Sequence, residues 1–163
     1  MQAWRALLTA QAVVLDAVEG QLQDQGQLPL AWFEVLVRLD REPQGALRMQ
    51  DLADRLVLSR SGVTRLADRL EAAGLIERAS CPSDRRGTYA VLTEAGRKAL
   101  QDAQPLVGQA VEEQLGRYLD ASETRLLESI LGKLLQAHGY AKRGDSCESP
   151  AEAEATERVA VES

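Results

Sequence analysis

The chain contains 163 residues, of which 45% are hydrophobic and only 4% aromatic, and it carries a formal net charge of −6. This length is enough for one domain with a core, and the scarcity of aromatic residues predicts a core of aliphatic side chains packed between helices. The sequence has no apolar run long enough to cross a membrane and no recognisable signal peptide, so we expect a cytoplasmic protein.

Cysteine and histidine usage argues against several kinds of site. The two cysteines, Cys81 and Cys147, lie far apart in the sequence, so we expect neither a disulfide framework nor a zinc site. Cys81 allows two interpretations, a redox-active thiol or a plain small residue. There is one histidine, His138, and no Ser/His/Asp set or phosphate-binding loop is visible. We therefore predict no enzyme activity, no metal and no cofactor.

The charge is unevenly distributed along the chain. Residues 48–98 carry 10 basic and 7 acidic side chains, whereas the other residues carry 9 basic and 18 acidic ones. Binding to nucleic acid depends on the local charge that faces the phosphates rather than on the total charge. The overall acidity therefore does not exclude a small basic surface that contacts DNA.

Apolar spacing predicts three helices before residue 57. The first covers residues 2–23 and ends before Gly26. The second opens at residues 28–30, where Pro29 is tolerated in a first helical turn. Pro43 and Gly45 mark a loop, and the third helix covers residues 50–56.

A fourth helix and two strands follow. Ser59 is a suitable N-cap for a helix over residues 60–73, and Gly74 suits the left-handed position after its end. Residues 75–78 and 88–92 are typical of strands, and the segment between them is rich in turn-forming residues. The sequence therefore predicts a helix followed directly by a β-hairpin.

The C-terminal part is predicted to contain two more helices and a tail. Thr93 caps a fifth helix that reaches about residue 117, with a kink or a break near Pro105. Asp120 and Glu123 resemble a capping box that opens a sixth helix with a dense leucine stripe. The composition of residues 141–163 predicts a disordered acidic tail.

The fourth helix has two distinct faces. Val63, Leu66, Ala67 and Leu70 fall on one side at helical spacing. Polar side chains must then face outward, where the N-terminal residues of such a helix can reach base edges in a major groove and Arg can bridge guanine atoms. These candidate DNA-binding residues are Ser59, Arg60, Ser61, Thr64, Arg65 and Arg69. An ordinary solvated amphipathic helix explains the same pattern equally well.

The hairpin favours the DNA-binding interpretation. Arg85 and Arg86 lie at its predicted tip, and narrow minor grooves concentrate the negative potential that attracts arginine. The Asp84 carboxylate can accept from a neighbouring guanidinium and hold it in place. The alternative is a solvated loop with incidental charges.

The order and spacing of these fragments resemble the MarR-type (multiple antibiotic resistance regulator) winged helix-turn-helix family over residues 28–139. The matching residues are Leu52-Ala53-Asp54-Arg55-Leu56, Ser59-Arg60-Ser61-Gly62-Val63-Thr64-Arg65-Leu66, Asp68-Arg69-Leu70-Glu71, Gly74-Leu75-Ile76-Glu77-Arg78, Asp84-Arg85-Arg86 and Leu92-Thr93-Glu94-Ala95-Gly96.

The resemblance implies a mainly α fold of six helices with a small β-hairpin wing. It also implies a homodimer formed through residues 1–28 and 97–140, with a DNA-binding lobe at residues 29–96. Arg86 is then the wing residue expected in the minor groove, with Asp84 helping to orient the wing. Ser61, Thr64 and Arg65 map to the base-facing side of the fourth helix.

Family members often respond to aromatic or anionic small molecules. Here Trp4, Trp32 and Arg38 are candidate effector-binding residues, and core or dimer packing is the alternative for both tryptophans. The expected function is a ligand-responsive repressor that binds a pseudo-palindromic operator in double-stranded DNA. The alternative is a winged-helix module for protein interaction or architecture, without a regulated operator.

Overall fold

The computed structural model describes residues 1–56, 58–80 and 88–140. The predicted tip of the hairpin, with Cys81, Asp84, Arg85 and Arg86, lies outside these residues, as does the predicted tail 141–163. Within the described ranges the elements follow in the order α1 Gln2–Asp24, α2 Leu30–Asp40, β1 Ala46–Arg48, α3 Met49–Leu56, α4 Arg60–Ala72, β2 Ile76–Ser80, β3 Thr88–Leu92, α5 Glu94–Gln114, a short 3-10 helix Gly116–Tyr118, and α6 Ala121–Ala137.

The strands form an antiparallel sheet in the order β1-β3-β2. Leu47 of β1 and Arg78 of β2 both lie opposite Ala90 of the central strand β3. The sequence predicted only β2 and β3, because the three residues of β1 are too few to show an alternating pattern. The wing therefore continues into a sheet that is anchored beside α3.

Local side-chain hydrogen bonds determine where three helices begin. Ser59 Oγ accepts from the amide of Gly62 at 3.1 Å, and Thr93 Oγ1 accepts from the amide of Gly96 at 3.0 Å. Asp120 and Glu123 form a complete capping box at the start of α6. All three predicted caps are confirmed.

The core lies between α2, α3, α4, the sheet and α5. The residues of the core that are less than 2% exposed include Val35, Leu36, Leu39, Leu47, Leu52, Val63, Leu70 and Ile76. Helix α1 contributes two buried residues to it, Val18 and Leu22. Helix α6 contributes none, although it carries a stripe of leucine and isoleucine side chains.

Helix α5 continues through Pro105 as one element. Of the predicted kink or break near Pro105, the break is therefore wrong. Proline removes one backbone hydrogen bond, and its ring crowds the preceding turn. Pro105 is exposed, while Ala103 and Val107 on either side of it are buried. Packing of the buried side of α5 holds the helix together across this position.

Gly96 brings α5 into close contact with the base of the hairpin. A Cβ atom at this position would lie 2.0 Å from the carbonyl oxygen of Leu75 and 2.9 Å from Cδ1 of Leu92. Only a residue without a side chain permits this approach. The hairpin is thereby fixed against the first turn of α5.

A carboxylate from α1 caps α2. The amide of Leu30, the first residue of α2, donates to Glu19 Oε2 at 2.9 Å. The N-terminal amides of a helix have no partners within the helix, and the helix dipole favours a negative charge there. Pro29 provides no side-chain cap, so α1 supplies the acceptor that α2 lacks.

No helix among the described residues combines the length and the apolar character that crossing a membrane requires.

Candidate nucleic-acid interface

Helix α4 presents a polar face to solvent and an apolar face to the core. Val63, Ala67 and Leu70 are buried, and Leu66 is half-buried. The polar residues predicted to face outward are all exposed, namely Ser59, Arg60, Ser61, Thr64, Arg65 and Arg69. The predicted division of the helix is therefore confirmed, and one continuous face is free to meet another macromolecule.

Three arginines give this face its charge. Arg60, Arg65 and Arg69 form no ion pair with any residue in the described ranges. A guanidinium without an ion-pair partner keeps its full donor set for phosphate oxygens or for guanine. The exposed face of α4 is thus basic although the whole chain is acidic.

The hydroxyl groups on this face are partly occupied by the helix itself. Thr64 Oγ1 donates to the carbonyl of Arg60 at 2.8 Å. Ser59 and Ser61 place their Oγ atoms 3.2 Å apart. Thr64 therefore offers a ligand its methyl group and the acceptor lone pairs of Oγ1, because its hydroxyl proton is already donated to the Arg60 carbonyl.

Arg78 joins the wing to α4. Its Nη2 lies 2.7 Å from Asp68 Oδ1 and donates to the Thr64 carbonyl at 3.2 Å. Its Nε lies 3.6 Å from Glu71 Oε2. We did not predict a role for Arg78 from the sequence. Its position two residues after the apolar Ile76 is the signal that places it on the inner face of the hairpin.

The strands of the wing are described up to Ser80 and from Thr88, which pair with each other across the hairpin. Arg48 braces the other edge of the sheet. Its Nε donates to the hydroxyl of Tyr89 at 3.0 Å, and its guanidinium lies 5.6 Å from the centre of that ring. The predicted roles of Asp84, Arg85 and Arg86 lie outside the described residues and stay predictions.

The three candidate effector-binding residues lie in different surroundings. Trp4 is 57% exposed on α1, whereas Trp32 is half-buried and packs against the core. Arg38 pairs with Glu34, one turn earlier on α2, at 3.3 Å. The packing alternative thus describes the position of Trp32, and a ligand-binding role for these residues stays a prediction.

A second surface is apolar rather than basic. Large hydrophobic side chains are exposed along α1 and α6, including Trp4, Leu8, Leu15, Leu126, Ile130, Leu134 and Leu135. Beyond α6, the hydroxyl of Tyr140 donates to the carbonyl of Arg55 at the end of α3. Tyr140, three residues after the end of α6, thus contacts the end of α3. The apolar stripe of α6 itself stays exposed.

Comparison with known proteins agrees with this architecture. A model of the MarR family matches residues 27–87. The transcriptional repressor MprA of Escherichia coli is 32% identical over 131 residues, which cover 80% of this chain and 73% of MprA. A crystal structure of Sco3205, a MarR family transcriptional regulator from Streptomyces coelicolor in complex with DNA, superposes with a TM-score of 0.77. That similarity has 30% identity and covers 83% of this chain and 85% of Sco3205.

A further similar structure concerns regulation by a small molecule. It describes the regulation of DNA binding of BpsR from Bordetella bronchiseptica by 6-hydroxynicotinic acid. BpsR has 25% identity and a TM-score of 0.72, over 82% of this chain and 98% of BpsR.

Proposed function

The chain belongs to the MarR family of transcriptional regulators, and from this premise we propose that it is a repressor that binds a pseudo-palindromic operator as a homodimer. The family has a winged-helix DNA-binding fold, and its members are regulators rather than enzymes. We thus propose that the protein lowers transcription, that its binding site is two-fold symmetric, and that residues of α4 and of the wing contact the DNA.

The exposed arginines of α4 carry the proposal. Arg60, Arg65 and Arg69 extend from the outer face of a helix that is preceded by a short helix and a turn. This geometry suits insertion of the N-terminal half of α4 into a major groove. Arg65 is our candidate for reading a guanine, because an arginine can donate two hydrogen bonds to O6 and N7.

The wing supplies the second contact. β2 and β3 follow α4 and precede α5, and the segment of sequence between the two strands contains Asp84, Arg85 and Arg86. We assign Arg86 to an adjacent minor groove, where the negative potential favours a guanidinium. Asp84 orients the arginines of the loop.

The apolar surface of α1 and α6 supports the homodimer. Leu126 is 60% exposed and Ile130 is 47% exposed in a single chain. Covering such a stripe with its symmetry mate removes apolar area from water and relates the two copies of α4 by a two-fold axis. Half-sites roughly 10 base pairs apart would match that arrangement.

We also propose that an aromatic anion regulates the binding of this protein to DNA. 6-Hydroxynicotinic acid regulates the DNA binding of BpsR, and it belongs to the chemical class that Trp4, Trp32 and Arg38 suit. An aromatic ring would stack on a tryptophan, and a carboxylate would pair with Arg38.

The test is a footprint on the DNA upstream of the protein's own gene, repeated with a panel of aromatic acids that includes 6-hydroxynicotinic acid. We expect a two-fold symmetric footprint, a steep fall of affinity with salt, and loss of the footprint with one class of acid. Uniform weak protection of all sequences would instead favour an architectural module. A footprint that no acid removes would contradict the regulatory part alone.

A further inference from the structure

One side chain connects the two DNA-contacting elements of the proposed function. Arg78 belongs to β2 and follows the buried Ile76 by two residues, so both side chains lie on the face of the strand that packs on α4. Glu77 and Ala79 lie on the opposite face. The Arg78 side chain thus extends from the wing toward α4, which we call the recognition helix because we propose that it enters the major groove.

The guanidinium contacts three residues on one stripe of α4. Thr64, Asp68 and Glu71 are spaced at helical intervals that place them in line. Arg78 Nη2 reaches the Asp68 carboxylate at 2.7 Å and the Thr64 carbonyl at 3.2 Å, and its Nε approaches Glu71 at 3.6 Å. One planar group therefore spans two turns of the helix.

These contacts constrain geometry more than they stabilise the fold. The side chains of Arg78, Asp68 and Glu71 are 28%, 53% and 42% exposed, respectively. Partly exposed ion pairs contribute little to folding stability because water and salt screen them. A guanidinium, however, is planar and rigid, so the two short contacts of Nη2, with the Glu71 carboxylate beside Nε, fix its orientation and that of the strand that carries it.

The contacts also change the charge of the helix face. Asp68 lies between Arg65 and Arg69 in sequence, and its exposed carboxylate would repel phosphates that approach α4. Pairing with Arg78 offsets this repulsion. This offset is small and acts on every DNA sequence alike, because Asp68 is 53% exposed and one guanidinium faces the carboxylates of both Asp68 and Glu71.

We propose that Arg78 is a positioning residue that fixes the angle between the recognition helix and the wing, and that it acts on DNA specificity through α4 rather than by contacting DNA. The inference rests on the proposed function, since it needs both elements to engage one site together. With a fixed angle, α4 can contact bases while the wing contacts the adjacent groove of the same site. With a mobile wing, phosphate contacts would remain, but the two sets of contacts would no longer form together.

The test uses the full chain and two DNA probes. One probe is a duplex of roughly 30 base pairs selected by the wild-type protein from randomised duplexes, and the other is a scrambled duplex of the same composition. Arg78→Gln should weaken binding to the selected duplex on the order of tenfold and to the scrambled duplex less than about twofold. The slope of affinity against salt should stay unchanged, because no phosphate contact is removed.

Three further variants isolate the cause. Arg41→Gln removes the same charge from the exposed turn after α2 and should leave the ratio of the two affinities unchanged. Arg78→Lys keeps the charge but not the fork, so it should restore only part of the ratio. In a chain that carries Asp68→Asn and Glu71→Gln, the loss caused by Arg78→Gln should shrink to less than about twofold.

An undiminished loss in the Asp68→Asn and Glu71→Gln background would overturn the inference. So would a salt slope lowered by about one, which would reveal a direct phosphate contact. Thermal unfolding of each variant confirms that it is folded. Equal binding of both duplexes by the wild type would overturn the proposed function itself, whereas wild-type discrimination that Arg78→Gln retains would overturn only the role of Arg78.

Discussion

The winged lobe (residues 29–96) and α6 treat their apolar side chains in opposite ways. The lobe buries Leu36, Leu39 and Leu70 completely, whereas Leu126 and Ile130 of α6 remain about half exposed. Both segments are rich in leucine, so composition does not explain the difference. The lobe completes its core within one chain, whereas α6 leaves an apolar face exposed that we propose a second copy covers.

The difference separates two kinds of stability. Burial within the lobe contributes to folding at any protein concentration, whereas burial on α6 contributes only when a partner is present. Substitutions in the two regions should therefore respond differently to dilution.

The largest effect is expected in the core of the lobe. Leu39 is completely buried, and Leu39→Ala should lower the free energy of unfolding by roughly 2–5 kcal/mol through lost burial and a residual cavity. Urea unfolding followed by circular dichroism measures this change. Leu58→Ala, at a position 44% exposed in the same lobe, should cost less than about 0.5 kcal/mol. Equal losses at the two positions would contradict the assigned core.

The next effect concerns association through α6. Ile130→Glu places a charge in the exposed apolar stripe and should raise the dimer dissociation constant at least about hundredfold. Gln136→Glu adds the same charge on the opposite side of the helix and should leave association unchanged. Light scattering over a dilution series measures both. A wild-type chain that is monomeric at micromolar concentration would refute the dimer.

Substitutions on the proposed DNA-contacting surface should distinguish contacts with bases from contacts with phosphates. Arg65→Ala should change base preference and cost roughly 1–3 kcal/mol at a site with the matching guanine. Arg86→Ala should instead weaken binding to all sequences and lower the salt slope. Competition binding on a panel of single-base variants distinguishes the two. If both variants kept the wild-type affinity and footprint, the DNA-facing surface would be misassigned.

Two glycines of α5 provide a matched pair. Gly96→Ala should destabilise the protein by roughly 1–3 kcal/mol, because the new Cβ meets the Leu75 carbonyl. A Cβ atom added at Gly108 would meet nothing within 4 Å among the described residues, so Gly108→Ala should stabilise the helix by roughly 0.5–1 kcal/mol. Thermal unfolding checks both. A Gly96→Ala variant as stable as the wild type would show that the hairpin is not held by this contact.

The smallest effect is expected at the capping box of α6. Hydrogen bonds from the Ser122 hydroxyl and from the amides of Glu123 and Ser122 lower the pKa of Asp120 below its ordinary value. The stability that this cap contributes is therefore present above the pKa of the unfolded chain and is lost as pH falls through the folded pKa. Asp120→Ala should lower Tm at neutral pH and much less in strong acid. Glu128→Gln, which changes charge on α6 away from the cap, should show no such dependence.

Sequence reasoning succeeded where a short local signal decides the structure. The caps at Ser59, Thr93 and Asp120 are set by side chains that reach amides two or three residues away. The exposed face of α4 follows from helical spacing in the same way. These features need no knowledge of distant parts of the chain.

Features that depend on contacts between distant parts of the chain were not predicted from the sequence. Strand β1 exists because β3 lies beside it, and its three residues carry no pattern of their own. Arg78 acquires its contacts only when β2 folds against α4, 7 to 14 residues back in the sequence. The uninterrupted course of α5 through Pro105 depends on packing around it. Tertiary context decided each of these outcomes.

The cap that Glu19 provides to Leu30 makes α1 part of two structures at once. The helix that presents its apolar face outward also holds the first turn of α2, whose later residues form the centre of the lobe. Any shift of α1 along its axis exposes an amide and removes a charge from the positive end of α2. A shift of the outer helix therefore acts on the first turn of α2 through Glu19 and on the core through Val18 and Leu22.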